Sequence, residues 1–380
     1  MTGGVRILWL SDLDNHETYY LYHTTLCSIL SKMIEEFRAI FCCGLEGFLI
    51  HCFHSTDRPT EDTMQFYFAP MEGITGSLYR RTHCRHFPGT DRYFIPFLEP
   101  RDGMIFDAHD RRQIDPAENA GIPAVPQMLT NRADRFVAGA RYLADLGYSE
   151  VNLNLGCPAR TVVSRGRGAG FLARREELER FLDEIFDASP LPISIKTRLG
   201  VEDEGEFEAL LTLYRRYPLT ELIVHARVLS DQYKYPVRRA VFAQATEDAP
   251  WPVCYNGDLF SQSAVTQFQA QFPQTERVML GRGLIANPGL VRECQTGVPL
   301  TAEELRSFHD DLLSAYQAQL SGERNVLCWM KELWFYWSCL FPGCKREYKA
   351  IRKAQTLSAY RDACNGLLSR EPVTETGYSK

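Results

Sequence analysis

The sequence predicts an α/β protein: a (β/α)8 TIM barrel followed by a smaller C-terminal helical domain. Three observations carry this. Short β-rich runs alternate with amphipathic, helix-like stretches from residue 65 to about 290, eight such runs occur, and beyond Thr301 only helical patterning remains. Strands separated by helices need crossover connections and therefore form a parallel sheet. Eight units in roughly 225 residues suit a closed barrel better than an open doubly wound sheet, the alternative.

The runs, in order, are FYFA (66–69), YFIPF (93–97), AVPQML (124–129), VNLNL (151–155), PISIKT (192–197), ELIVHA (221–226), PVCYN (252–256) and RVMLG (277–281). Residues 133–147 and 175–189 carry apolar side chains at helical spacing between them. The second unit is the weakest, because no helix is evident after its strand. From Thr301 to Ser369 the segments read as helices, the first opened by a capping box of Thr301 and Glu304. The polar residues 370–380 read as a disordered tail. The barrel is thus expected over 64–300 and the helical domain over 301–369.

Residues 1–63 read differently. They hold four of the twelve cysteines and contribute −5 of the formal net charge of −6. Barrel patterning begins abruptly after Met64, so 1–63 is expected to be a dispensable extension or a mis-assigned start; the other reading is a small helical cap with an amphipathic helix over 22–41. The remaining residues are nearly neutral overall, yet Lys345–Arg361 carries six basic residues and one Glu. On a helix, Lys345, Lys349, Arg352 and Lys353 share one face. Such a run is most often solvated surface, but it also suits phosphates. The aromatic set Trp329, Trp334, Phe335, Tyr336 and Trp337 reads as bundle core. No apolar run reaches the roughly 18 residues of a membrane span. The first residues do not read as a secretory leader. Scattered cysteines without CxxC pairs suggest neither zinc nor disulfides, and hence a cytoplasmic setting.

Chemistry in such barrels gathers at the C-terminal ends of the strands. Those ends supply Ala69, Pro70, Met71, Glu72 and Gly73; Gln127; Asn152, Asn154 and Cys157; Lys196 and Arg198; His225 and Arg227; Asn256, Gly257 and Asp258; and Gly281, Arg282 and Gly283. The last two groups follow strands seven and eight, where a phosphate commonly sits. Lys196 and Gln127 could meet an anionic, ring-bearing ligand, and a flavin mononucleotide (FMN) suits the set. Each residue alone has a plainer reading: a lysine reaching for the rim, a satisfied core histidine, a simple turn. Cys157 lies between Gly and Pro at a strand end, with no histidine beside it in sequence. At an ordinary thiol pKa of about 8.5 it stays protonated at neutral pH, which suits proton donation better than nucleophilic attack.

The motifs APMEGITG, LNLGCPARTVVSRGRGAGFL, SIKTRLG, IVHAR, YNGDL and MLGRG, in that order, resemble those of the tRNA-dihydrouridine synthase family. The resemblance spans about 64 to 365. It implies an FMN-bearing barrel that reduces a uridine in tRNA to 5,6-dihydrouridine, with NADPH as reductant. It further implies hydride transfer from the flavin to C6 and a proton from Cys157 to C5. Asn154 would help hold the uracil. Pro70, Met71, Glu72, Gln127, Lys196 and His225 would line the flavin, and residues 256–258 and 281–283 its phosphate. Because a base inside folded tRNA must be flipped out to reach a barrel mouth, a second surface has to grip the RNA. The basic face of the helical domain is the candidate. The expected partners are tRNA and NADPH, with no membrane and no DNA, and the chain is expected to act as a monomer. Competing readings are a small-molecule ene-reductase or dihydropyrimidine dehydrogenase on the same barrel, and a non-catalytic RNA-binding barrel.

Overall fold

In the computed structural model, residues 64–247 and 249–378 are described. The expectations for 1–63 lie outside the described residues. Eight strands close into a barrel in sequence order: β1 (Gln65–Phe68), β2 (Arg92–Leu98), β3 (Ala124–Met128), β4 (Val151–Leu155), β5 (Ile193–Arg198), β6 (Leu222–His225), β7 (Val253–Asn256) and β8 (Arg277–Leu280). Every pairing is parallel, and β1 pairs with β8 through Gln65↔Arg277 to Phe68↔Leu280. All eight runs read from the sequence are strands, each within a residue or two.

Side chains alternate across each strand, which explains the patterning. On β4, Val151, Leu153 and Leu155 join the large apolar layer beneath the helices, while Asn152 and Asn154 occupy the other face. A second, smaller cluster of Tyr67, Ala69, Phe94, Val125, Ile223, Cys254 and Met279 draws on six strands and fills the barrel itself. Around the sheet run α1 (Ser77–His86), α2 (Ala108–Gln113), α3 (Ala133–Asp145), α4 (Arg160–Val163), α5 (Arg175–Ala188), α6 (Glu206–Tyr214), α7 (Arg239–Thr246) and α8 (Gln262–Gln271), with α9 (Arg282–Ala286) and α10 (Leu290–Thr296) after β8. The helix not evident in the second unit is α2, a short element whose N-cap Asp107 accepts from the Asp110 N–H at 2.9 Å.

Four further helices follow: α11 (Ala302–Gln319), α12 (Glu323–Trp337), α13 (Lys345–Lys353) and α14 (Leu357–Leu368). The capping box at Thr301 and Glu304 is formed. Trp334 and Trp337 are fully buried and Tyr336 nearly so, whereas Trp329 is only half-buried and Phe335 is exposed. Trp334 Nε1 donates to the Tyr360 hydroxyl at 2.9 Å, tying α12 to α14. These helices form one compact unit with the barrel rather than a detached domain. The joint is aromatic: Phe308 of α11 packs edge-on against Tyr79 of α1 and Phe87 just beyond it, at ring-centroid distances of 5.7 and 5.3 Å.

The expectation of a disordered tail over 370–380 is corrected for its described residues. Val373 N–H donates to the Leu340 carbonyl at 2.8 Å, the Thr374 hydroxyl to Glu293 Oε1 at 2.8 Å, and Tyr378 is buried. Polar composition suggested solvation, but Thr374 and Tyr378 meet partners far away in sequence that composition does not reveal.

Candidate active site

A cleft of about 520 Å³ opens at the C-terminal mouth of the barrel, within the size range of small-molecule and cofactor sites. Its walls bring together Pro70, Met71, Glu72, Gln127, Asn154, Cys157, Lys196, His225, Asn256, Gly257, Asp258, Gly281, Arg282 and Gly283. Of the residues picked out from the strand ends, all but Gly73, Asn152, Arg198 and Arg227 line this one cavity. Lys345, Lys349, Arg352 and Lys353 do not; they stand exposed on α13.

The floor of the cleft is a relay of amides. Asn152 Nδ2 donates to Ser194 Oγ at 2.9 Å, Gln127 Nε2 to Asn152 Oδ1 at 2.7 Å, and Asn154 Nδ2 to Gln127 Oε1 at 2.7 Å. Asn154 Oδ1 then accepts the backbone N–H groups of Gly156 and Cys157 at 3.0 and 2.9 Å. The relay fixes the turn that presents the cysteine. Asn154 thus has a structural duty not foreseen from sequence, and one of its two amide N–H groups is left for a ligand. The turn is packed tightly: a Cβ on Gly168, at φ +54°, would lie 2.8 Å from the Cys157 carbonyl oxygen.

Cys157 is partly buried. Burial pushes its thiol above the ordinary value, against the pull of the Ala159 backbone hydrogen bond and of the Arg198 and Lys196 charges. The group is therefore a thiol, not a thiolate, at neutral pH. Arg198, fully buried, ties this turn to the loop after β6: its Nε donates to the Gly156 carbonyl at 2.9 Å and its Nη1 to the Val228 and Gln232 carbonyls at 3.0 and 3.1 Å.

On the neighbouring strand β5, beside Asn154, Lys196 Nζ donates to Asn256 Oδ1 at 2.9 Å, and Asn256 Nδ2 donates to the Met279 carbonyl at 2.8 Å. Burial, with Arg198 nearby, lowers the Lys196 pKa to about 8. No carboxylate within ion-pair reach neutralises it among the described residues, so the site is suited to an anion. His225 is buried, and its Nε2 lies 3.2 Å from Arg227 Nη1. A guanidinium cannot accept, so Nε2 is the acceptor and Nδ1 carries the proton. Burial and then the Arg198 and Lys196 charges hold its pKa well below the usual value, leaving a neutral imidazole.

The loops after β7 and β8 meet at Asp258, a non-glycine residue at φ +42°. Its carboxylate takes Arg227 Nη1 at 3.0 Å and Arg282 Nη2 at 2.7 Å on one oxygen. Two guanidiniums on one carboxylate leave a net positive charge here. Gly283 is required by space, because a Cβ there would collide with the Leu259 carbonyl oxygen. Gly281 borders Met71, whose sulfur would stand 3.4 Å from such a Cβ. Glu72 is pushed upward, mainly by burial. Arg198 and Arg227, both picked out at strand ends in the sequence, do not line the cleft but brace its wall through the Gly156 carbonyl and the Asp258 carboxylate, whereas Tyr233, which closes the rim beside Arg282, is a lining residue that sequence reading misses.

A closed parallel barrel whose mouth holds a thiol, a neutral imidazole and an anion-seeking lysine is a (β/α)8-barrel enzyme. The chain belongs to the dihydrouridine synthase family, whose model, described as Dihydrouridine synthase (Dus), matches residues 67–323. The tRNA-dihydrouridine(16) synthase of Aquipseudomonas alcaligenes is 29% identical over 238 residues, 60% of this chain and 75% of the relative. The probable tRNA-dihydrouridine synthase 1 of a Synechocystis strain is 27% identical over 312 residues, 79% and 85% of the two chains. The tRNA-dihydrouridine(16) synthase of Shewanella oneidensis is 28% identical over 303 residues, 77% and 95%. No described helix is long and apolar enough to cross a membrane.

Proposed function

We propose that this chain reduces a uridine base of tRNA to 5,6-dihydrouridine, with FMN as resident cofactor and NADPH as reductant. The observation that carries the reading is that a protonated, positioned Cys157 shares one cleft with Lys196, which lacks a carboxylate partner among the described residues, and with the Arg282–Asp258 cluster after β7 and β8. The residues fit FMN chemically. Arg282 and Arg227 on the shared Asp258 leave net positive charge for a phosphate, and Lys196 seeks an anionic partner. Gln127 and His225 offer N–H donors for a ring edge, and Pro70, Met71 and Glu72 border the same cavity. When bound, the cofactor would supply hydride to C6 of the uracil.

The chain's own task is to orient the base and hold a proton. Cys157 keeps that proton because burial disfavours its thiolate, and it gives the proton to C5. The remaining amide N–H of Asn154 reaches toward the uracil from the turn that fixes Cys157. The extruded nucleotide leaves the body of the tRNA outside the cleft, where exposed Lys345, Lys349, Arg352 and Lys353 meet its phosphates. The test is direct. The purified chain should carry FMN and, with NADPH, form dihydrouridine in unmodified tRNA but not reduce free uracil. A flavin-free protein, or one that reduces uracil and ignores tRNA, overturns the reading.

A further inference from the structure

The C-terminal tail reaches the phosphate end of the cleft. Arg282 lies inside a sleeve of three rings: its guanidinium carbon is 4.8 Å from the centroid of Tyr233, 5.0 Å from Phe260 and 5.1 Å from Tyr378. Tyr233 and Phe260 line the cleft; Tyr378 does not, and approaches from behind. Tyr378 packs on Phe260 at a centroid distance of 5.3 Å and on Tyr336 of α12 at 5.7 Å. The approach is close enough that a Cβ on Gly377, at φ +59°, would collide with the Phe260 carbonyl oxygen. The tail is held at several points upstream. Glu371 accepts from the Ala302 N–H at 3.1 Å, Val373 donates to Leu340, and Thr374 donates to the buried Glu293, which itself accepts from Asn287 at 2.7 Å.

An arginine has many rotamers, and only one places its charge at a ligand phosphate. Asp258 fixes one edge of this guanidinium, and the Tyr378 hydroxyl also bonds to it. Its planar faces are restrained only by what stacks on them, because aromatic faces attract and orient a guanidinium. Tyr378 is the part of that sleeve supplied from the far end of the chain, and it is anchored on the helical region through Tyr336.

We propose that Tyr378 is a positioning residue for Arg282, through which the C-terminal tail sets the affinity of the cleft for the phosphate of its cofactor. This rests on the reading that the cleft holds FMN. The test compares FMN with riboflavin, which has the same ring system and no phosphate. Dissociation constants are measured by flavin fluorescence on flavin-stripped full-length protein, for the unaltered chain, Tyr378→Ala and Tyr378→Phe. In Tyr378→Ala, FMN affinity should fall about 3- to 10-fold while riboflavin affinity stays put. Tyr378→Phe, which keeps the ring but loses the hydroxyl that bonds to Arg282, should fall between the unaltered chain and Tyr378→Ala. Equal losses for both ligands would mean a merely structural tail and overturn the proposal, as would no loss for either. A phenylalanine variant as weak as alanine would overturn the assignment to the ring face. An unaltered chain that binds neither flavin would instead sink the FMN reading itself.

Discussion

At the scale of single residues, the site turns on one thiol and the amide that presents it. Asn154 spends its carbonyl oxygen on two backbone N–H groups of the cysteine turn, so that turn is already ordered, and little reorganisation would remain for the proposed proton transfer. Burial keeps Cys157 protonated. Cys157→Ala should therefore retain FMN, its reduction by NADPH and tRNA binding, yet form dihydrouridine about 10²–10⁴ times more slowly, the usual worth of a positioned general acid. Cys157→Ser should recover little, since a hydroxyl is a far weaker acid. Single-turnover reoxidation of pre-reduced enzyme by unmodified tRNA measures this step; an alanine variant that reoxidises at the normal rate would place the proton elsewhere. Cys157 is legible in the sequence because Gly and Pro bracket it at a strand end. The second duty of Asn154 is not, because a hydrogen bond to Gln127 crosses from β4 to β3 and depends on strand register.

At the scale of elements, α13 carries the substrate question. Ile351 is buried while Lys345, Lys349, Arg352 and Lys353 face water. The periodicity that places four cations on one face is readable directly, since it is local. Replacing all four with glutamine should weaken tRNA binding and flatten its dependence on salt by about 0.7–0.9 in slope for each phosphate no longer neutralised. Flavin reduction by NADPH should be unaffected, because none of the four lines the cleft. An unchanged affinity and slope in a salt titration would make the face ordinary solvated surface. The strands are legible for the same local reason: inward and outward side chains alternate along each. The helix α2 is not, because AHDRRQ has no apolar stripe. Its one local sign is Asp107, an N-cap, and its place is set by Gln113, whose Oε1 accepts the Ser77 N–H at 2.8 Å.

At the scale of the whole molecule, what sequence conceals is where distant segments meet. Local pattern marks 301–369 as helical, but it does not state that Phe308 docks on α1 or that Tyr378 returns to Arg282. The end of the barrel remote from the cleft is a similar case. Glu221 precedes β6 and is 3% exposed. The Tyr67 hydroxyl donates to its Oε1 at 3.0 Å, Arg277 Nε stands 3.5 Å from that oxygen, and Arg92 Nη1 is 4.0 Å from Oε2, which has no hydrogen-bond partner. Burial, opposed by Arg92, pushes its carboxyl up from 4.5 to about 7. A carboxyl raised on folding binds its proton more tightly in the native state. Stability from this group is therefore complete below the unfolded value and is lost as pH rises through about 7. Glu221→Gln keeps the shape and an acceptor for Tyr67 but cannot ionise. At pH near 8 the variant should be more stable than the unaltered chain by about 1–3 kcal/mol, and near pH 5 the two should be closely matched. Thermal unfolding at both pH values decides it. A glutamine variant less stable at the higher pH would mean that Arg92 and Arg277 more than offset the burial of the carboxylate, so that the charged form holds the barrel closed.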